Sequence, residues 1–177
     1  MEIHAYCEYN LKSFKALNGL MLFGKENPAK RMLMWGIIYG ILLVAVILNL
    51  FWLGPDSTML LLLCLLVVIQ LYMCSCYFLR PIRQYKSMAN LRGAVNHYCF
   101  RQDSLEATSS NSSYNGQSEL QYSGIFRCME TDAYFFLFLS TRQVYAVDKA
   151  TITGGTAEDI RNRLSACLGR KYIRCKY

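Results

Sequence analysis

The stretch that decides the fold of this chain is residues 32–53, MLMWGIIYGILLVAVILNLFWL, and residues 58–79, TMLLLLCLLVVIQLYMCSCYFL, have the same character. Neither segment contains an Asp, Glu, Lys or Arg residue. A helix rises about 1.5 Å per residue, so either segment can cross the roughly 30 Å hydrocarbon core of a bilayer. The alternative is a hairpin buried inside a soluble protein, but the remaining polar chain is too short to surround it. The sequence therefore predicts a two-helix transmembrane hairpin with a short turn at residues 54–57.

Basic residues gather on one side of this hairpin. The turn has no Lys or Arg, whereas seven basic residues, here called the basic layer, flank the other ends of the two segments: Lys25, Lys30, Arg31, Arg80, Arg83, Lys86 and Arg92. The positive-inside rule then places both termini in the cytoplasm and the turn outside the cell membrane. The basic layer is expected to meet the anionic headgroups of the lipid bilayer. Two roles fit it: setting the orientation during insertion only, or also holding the cytoplasmic part to the membrane. The net charge of +7 is explained by this contact, so no nucleic-acid partner is predicted.

Four residues inside the hairpin are candidates for helix packing. Gly36 and Gly40 form a G-x-x-x-G match, which permits two helices to approach closely. Asn49 and Gln70 are costly in lipid unless they find hydrogen-bond partners. Counting from the turn places these two about 12 Å apart in depth, with Gln70 level with Tyr39. Packing within the hairpin, a homodimer and a membrane-protein partner are the alternatives.

The first 31 residues are too short to form a domain. Residues 3–9 alternate apolar and polar side chains, which is typical of a half-buried strand, and residues 11–24 have helical spacing. A single strand is not stable alone, so we expect it to pair with the C-terminal region. The chain thus divides into an N-terminal strand and helix at 1–31, the hairpin at 32–79, a basic connector at 80–93 and a C-terminal domain at 94–177.

The C-terminal domain has the pattern of short strands followed by one helix. Six strands are expected at residues 94–101, 105–109, 117–122, 125–130, 134–140 and 143–148. Asn115-Gly116 predicts a hairpin turn, and Thr156 is the expected N-cap of the helix. The apolar stripe of that helix is expected to consist of Ile160, Leu164, Cys167 and Leu168. Six antiparallel strands closed by an amphipathic helix describe a pleckstrin-homology-like (PH-like) barrel or sandwich. The predicted fold class is therefore an α+β membrane protein, in which the hairpin carries this cytoplasmic domain.

The order of these residues also resembles a known family. Tyr98–Phe100, Asn115-Gly116, ETDAYFFLFLS at 130–140, QVYAVDK at 143–149 and LGRKY at 168–172 are similar to the YcxB-like proteins of Gram-positive bacteria. The N-terminal strand and helix, the double span and the C-terminal domain occur in the same order as in that family. Asp148-Lys149 is a departure, because members commonly have Pro before the basic residue. The resemblance implies a membrane hairpin with a cytoplasmic PH-like domain and no established activity.

No residues in the sequence have the spacing of a catalytic, cofactor or metal site. The two histidines, His4 and His97, lie in predicted strands and are expected to be ordinary surface or satisfied histidines. The eight cysteines include no C-x-x-C pair, so reduced packing thiols are expected in the cytoplasm. Residues 153–156 open a helix but lack the P-loop lysine, which favours a simple capped loop. We therefore expect no catalytic residue, no cofactor and no bound metal.

Two classes of function fit this sequence. The first is a non-enzymatic membrane protein whose cytoplasmic PH-like domain is an interaction or regulatory module at the inner face of the membrane. It would bind a lipid headgroup, a peptide or a membrane protein, and bacterial immunity proteins are one form of this class. The second is an accessory subunit of a transporter or membrane enzyme, with the hairpin packed against a larger partner. An enzyme is the least supported class, because no catalytic motif is present.

Overall fold

The computed structural model describes residues 2–24, 26–54, 56–87, 93–111, 114–141 and 143–175. Its α-helices are α1 (Leu11–Phe23), α2 (Pro28–Leu53), α3 (Ser57–Cys74), α4 (Arg80–Ser87) and α5 (Ala157–Leu168). Its strands are β1 (Ile3–Glu8), β2 (Val95–Phe100), β3 (Ser104–Asn111), β4 (Tyr114–Gln121), β5 (Arg127–Glu130), β6 (Tyr134–Phe138), β7 (Val144–Asp148) and β8 (Tyr172–Arg174). This is the mixed α+β class that the sequence predicts.

Two long helical segments are apolar enough to cross a membrane by their length and composition. They are Ala29–Trp52, with 24 residues, and Ser57–Ser87, with 31 residues. Only 6% of the most apolar window of the first and 0% of the second is buried inside the protein. A core helix of a soluble protein is mostly buried, so these two segments do not have that role among the described residues.

The second long helix continues past its predicted apolar span without a break. One π-helical turn, Ser75–Leu79, joins α3 to α4. The backbone N–H of Arg80 donates to the carbonyl of Ser75, five residues earlier. Pro81 follows and has no N–H to donate, so a wider turn at this point accommodates the missing helical hydrogen bond. The basic connector is therefore helical from Arg80 as far as Ser87.

The N-terminal strand β1 is the edge of a sheet formed with the C-terminal region. In this first sheet the strand order is β1-β2-β3-β4, and β1 runs antiparallel to β2 with Ile3 opposite Phe100. Ile3, Ala5 and Cys7 point into the core, and the residues between them are exposed. Burying this alternating apolar face is what pairs β1 with a strand about ninety residues later, as the period-2 pattern predicts.

The second sheet, and the way in which the two sheets are joined, both differ from the prediction. Its order is β7-β6-β5-β8, and β8 runs parallel to β5 with Tyr172 opposite Cys128. The sequence did not reveal β8, because three residues are too few to show a period. Of the two predicted forms, barrel or sandwich, a closed barrel is absent from the described strands, which form two separate sheets. They are joined beside β1 by an isolated antiparallel bridge between His4 and Thr153, whereas closure would require the outer strands to pair along their length.

The helix α5 packs on the core between these sheets. Thr156 is its N-cap in a capping box, since its hydroxyl accepts from the Asp159 N–H and the Asp159 carboxylate accepts from the Thr156 N–H. Ile160, Leu164 and Leu168 are buried as predicted, but Cys167 is exposed. Residues four apart drift by about 40° around a helix, so by the last turn the buried side has moved away from Cys167.

The predicted turn at Asn115-Gly116 is wrong. Both residues lie inside β4, where they face Ser110 and Ser109 of β3. The pairing of β3 with β4 extends to Asn111 and Tyr114, and the connecting residues 112–113 lie outside the described part of the chain. The longer pairing adds ladder hydrogen bonds that a turn at Asn115 would lose, and these outweigh the local turn preference.

Candidate functional site

The helix α1 lies along the inner end of the second long helix. The Asn18 side-chain amide donates to the carbonyl of Cys76 over 3.3 Å, inside the π-helical turn. The ring of Phe14 packs edge-on against Tyr85 of α4, with 5.8 Å between the centroids. These contacts fix α1 beside the point where the apolar segment ends and Arg80 begins the polar part of the helix.

A cavity of about 380 Å³ opens at this junction. It is formed by α1, α4, β7 and the turn before β7, and its lining residues are Phe14, Leu17, Asn18, Met21, Leu22, Arg80, Gln84, Thr141 and Val144. This volume suits a small ligand or a headgroup. Arg80 supplies a positive charge, and Asn18, Gln84 and Thr141 supply hydrogen-bonding groups, so the cavity can hold a polar or anionic group.

A second cation, Arg127 of β5, lies next to this cavity. Its guanidinium is 4.2 Å from the centre of the Phe138 ring, and its Nη2 is 3.9 Å from the sulfur of Met21. Its buried Nε has no hydrogen-bond partner, and no carboxylate of the described residues forms an ion pair with it. The stacking holds the charge in place without neutralising it. No pattern in the sequence points to this residue, because it occupies an ordinary position in a predicted strand.

Exposed apolar residues lie near these two cations: Met21 and Leu22 line the cavity with Arg80, and Phe126 precedes Arg127 in the chain. Met21 is 54% exposed, Leu22 36% and Phe126 51%, and the Phe126 backbone bonds the Phe138 carbonyl, beside Arg127. We call Met21, Leu22, Arg80, Phe126 and Arg127 the juxtamembrane patch. Large apolar groups next to unneutralised cations form a surface suited to the boundary between lipid headgroups and acyl chains.

The described residues of the predicted basic layer differ in their surroundings. Lys25 and Arg92 lie outside the described residues, and Arg31 forms an ion pair of 2.9 Å with Glu26. Lys30, Arg83 and Lys86 are exposed. Arg80 and Arg83 together line a further cavity of about 450 Å³ on the helix surface. Arg80 therefore lines both this cavity and the cavity between α1 and α4.

The four predicted packing residues do not form one contact. A Cβ added at Gly36 or Gly40 would meet nothing within 4 Å, so these glycines do not bring α2 close to α3. Gly40 and Gln70 line an apolar groove of about 270 Å³ beside Tyr39, and the Gln70 amide lies 3.9 Å from the Cys74 sulfur. Asn49 is half-buried elsewhere on α2.

Glu130 of β5 is a buried carboxylate, which is only 1% exposed. Its carboxylate is 2.6 Å from the Lys149 Nζ and 2.8 Å from the Arg161 Nη2, and it accepts the Tyr172 hydroxyl. Burial acts to raise the pKa of Glu130, but the hydrogen bonds from these three residues outweigh it and lower the pKa to about 2. The group is enclosed by its partners, so it has the properties of a structural ion cluster rather than of a catalytic acid.

All eight cysteines are free, as expected. Cys7, Cys128 and Cys175 are buried, and burial raises the pKa of the Cys7 thiol to about 12. The Cys7 thiol therefore stays protonated at neutral pH, and the three buried cysteines act as small apolar groups.

The family model described as YcxB-like protein matches residues 108–162. The matched segment begins in β3 and ends in α5, so the resemblance seen in the sequence is confirmed for this part of the C-terminal region. The two long apolar helices are consistent with the membrane hairpin of the same resemblance. No curated protein and no solved structure matches the chain.

Proposed function

We propose that this protein is a non-enzymatic integral membrane protein whose cytoplasmic PH-like domain is an interaction or regulatory module at the inner face of the cell membrane. In this proposal α2 and α3 span the bilayer and both termini are cytoplasmic. The observation that carries it is the juxtamembrane patch, which lies beside the inner end of the second apolar helix. An immunity protein would be one specific form of such a module.

The composition of the patch supports contact with anionic lipid headgroups. Each Lys or Arg near an anionic surface contributes about 1 kcal/mol. Met21, Leu22 and Phe126 add apolar area that gains free energy on leaving water, at about 25 cal/mol per Å². Arg80 also lies where a lipid phosphate could enter the cavity between α1 and α4. The patch therefore favours a domain held down on the bilayer over one that swings freely.

The shape of the C-terminal region supports the PH-like assignment. Two four-stranded sheets face one core, and the buried stripe of α5 covers it. The ion cluster of Glu130 ties β5 to α5 and β8, which rigidifies the scaffold around the patch. A rigid scaffold with an exposed recognition surface suits binding rather than chemistry.

The alternative is an accessory subunit of a transporter or membrane enzyme. The groove beside Gly40 and Gln70 favours it, because it is apolar and lies between α2 and α3. The unobstructed Gly36 and Gly40 leave room for another helix to approach. That helix would belong to a larger membrane protein or to a second copy of this chain.

Hydrogen exchange of the full chain in nanodiscs tests the proposal. Amides near Met21 and Phe126 are expected to be more protected in anionic than in zwitterionic lipid. Arg80→Gln should reduce this difference about fivefold, which corresponds to the loss of about 1 kcal/mol. Lys171→Gln, which removes the same charge from an exposed position after α5, is the matched control and should have little effect. Equal protection in both lipids would contradict the proposal.

A further inference from the structure

A cluster of metal-ligating side chains lies on the outer face of the first sheet, away from the juxtamembrane patch. The ligand atoms of Glu2, His4 and Cys99 all lie within 4.8 Å of one another. Glu2 and His4 are exposed and Cys99 is half-buried, and a cavity of about 310 Å³ opens over them. The proposed membrane function does not use these residues.

The strand register explains why His4 and Cys99 meet. They are directly opposite in the antiparallel pair of β1 and β2. The His4 N–H donates to the Thr153 carbonyl over 2.9 Å, and the His4 carbonyl accepts from the Thr153 N–H over 2.8 Å. Both backbone groups of His4 therefore point away from β2, which makes His4 and Cys99 a non-hydrogen-bonded pair. In such pairs the Cα atoms are about 4.5 Å apart and the side chains are closest.

The donor set has the chemistry of a zinc site. Imidazole nitrogen and thiolate sulfur are borderline or soft ligands, which favour Zn²⁺ over Mg²⁺ or Ca²⁺, and a carboxylate is an accepted third ligand. Zinc bonds of about 2.0 to 2.3 Å need ligand atoms somewhat closer than they are here. Rotation of the exposed Glu2 and His4 side chains can supply that contraction. One carboxylate and one thiolate also neutralise the charge of the ion.

Arg101 is the cation that the site must accommodate. Its Nε is 3.4 Å from Glu2, but its Nη2 is 2.7 Å from Glu106 and its Nη1 is 3.7 Å from Glu119. Arg101 therefore keeps two acidic partners on the neighbouring strands when Glu2 turns to a metal. His97 lies on the same face, but its ring packs near Tyr6, with 6.1 Å between the centroids.

We propose that Glu2, His4 and Cys99 bind one zinc ion on the outer face of the first sheet, with water in the fourth position. The ion cross-links β1 to β2. It thereby fastens the N-terminal strand to the domain that it completes.

Zinc titration of the full-length, chelator-treated protein in detergent tests this site. One Zn²⁺ per chain is expected, and Co²⁺ in its place should give a thiolate-to-metal charge-transfer absorption. His4→Gln and Cys99→Ser should each weaken binding at least about tenfold, and Cys99→Ser should abolish the absorption. The side chains of His4 and Cys99 lie on the outer face of the sheet, so we expect both variants to fold. An unchanged circular dichroism spectrum verifies this.

Two control variants separate this site from general metal affinity. Cys167→Ser removes an exposed thiol of α5, and His97→Gln removes the other histidine of the same sheet face; both should bind zinc like the parent protein. Binding below one ion per chain, a charge-transfer band that survives in Cys99→Ser, or an equal loss in His97→Gln would overturn the proposal.

Discussion

At the scale of single residues, Glu130 has the most consequences for stability. It begins the stretch ETDAYFFLFLS, in which nothing marks it as an ion-cluster residue, yet it accepts hydrogen bonds from groups on three other parts of the chain: Lys149, Arg161 and Tyr172. A buried carboxylate is tolerated only when such partners compensate its lost hydration. Burial and the bond to Glu130 also raise the pKa of the Tyr172 phenol.

Glu130→Gln is expected to destabilise the C-terminal domain by about 3 kcal/mol or more, because two cations then lose their buried counter-charge. Thermal unfolding of the full chain in detergent measures this. Glu158→Gln is the control, since Glu158 pairs with the same Arg161 at 3.5 Å but is 74% exposed; it should cost less than about 1 kcal/mol. Equal effects of the two variants would contradict a buried-cluster role.

The same carboxylate predicts how stability depends on pH. Its folded-state pKa of about 2 lies below the ordinary value of 4.5, so the unfolded chain takes up the proton first as pH falls. The contribution of Glu130 is therefore fully present above about pH 5 and is lost between there and pH 2. Unfolding measured over this range should show a smaller loss of stability in Glu130→Gln than in the parent protein.

At the scale of secondary-structure elements, β1 joins the two ends of the chain. Its inner face contributes Ile3, Ala5 and Cys7 to the core, and its edge contacts Thr153 and Thr151 after β7. Without β1 the first sheet would expose the edge of β2, which is prone to pair with other chains. The helical hairpin lies between β1 and β2 in the chain. It does not prevent β1 from pairing with β2, because a hairpin returns the chain to the end at which it started.

Two neighbouring substitutions on β1 test its role. Ala5→Lys places a charge in the core and should make the region after residue 93 sensitive to protease and raise hydrogen exchange in β2 and β3. Tyr6→Lys, one residue later, points outward and should leave both nearly unchanged. If both variants stay resistant to protease, β1 does not complete the sheet.

At the scale of the whole molecule, the two ends of the helical hairpin differ in charge. Arg80 follows the apolar part of the second long helix, and Asp56 N-caps α3 at its opposite end. Positive charge is therefore confined to one end of the hairpin, which is the arrangement that sets topology.

Cysteine labelling tests this orientation. A membrane-impermeant thiol reagent should label Ser57→Cys on intact cells, because Ser57 is exposed in the turn. The native Cys167 is exposed on α5 and serves as the internal control, labelled only after lysis. Labelling of Ser57→Cys that requires lysis would reverse the proposed topology.

The features that depend on local periodicity can be predicted from the amino-acid sequence. An uncharged run defines each apolar helix, alternation defines β1, and a capping residue defines the start of α5, because hydrophobic period and end chemistry are written within a few consecutive residues. These signals located the hairpin and most strands, and indicated that the N-terminal strand pairs with the C-terminal region.

The groups that distant residues form together depend on long-range packing. Arg127 joins Arg80 at one patch, Lys149 and Arg161 converge on Glu130, and Cys99 meets His4 only because β1 and β2 pair in one register. The parallel strand β8 and the open sheets likewise depend on long-range packing, which no local window of sequence contains. Periodicity fixes which face of an element is buried, whereas the neighbours of that face are set by the chain topology.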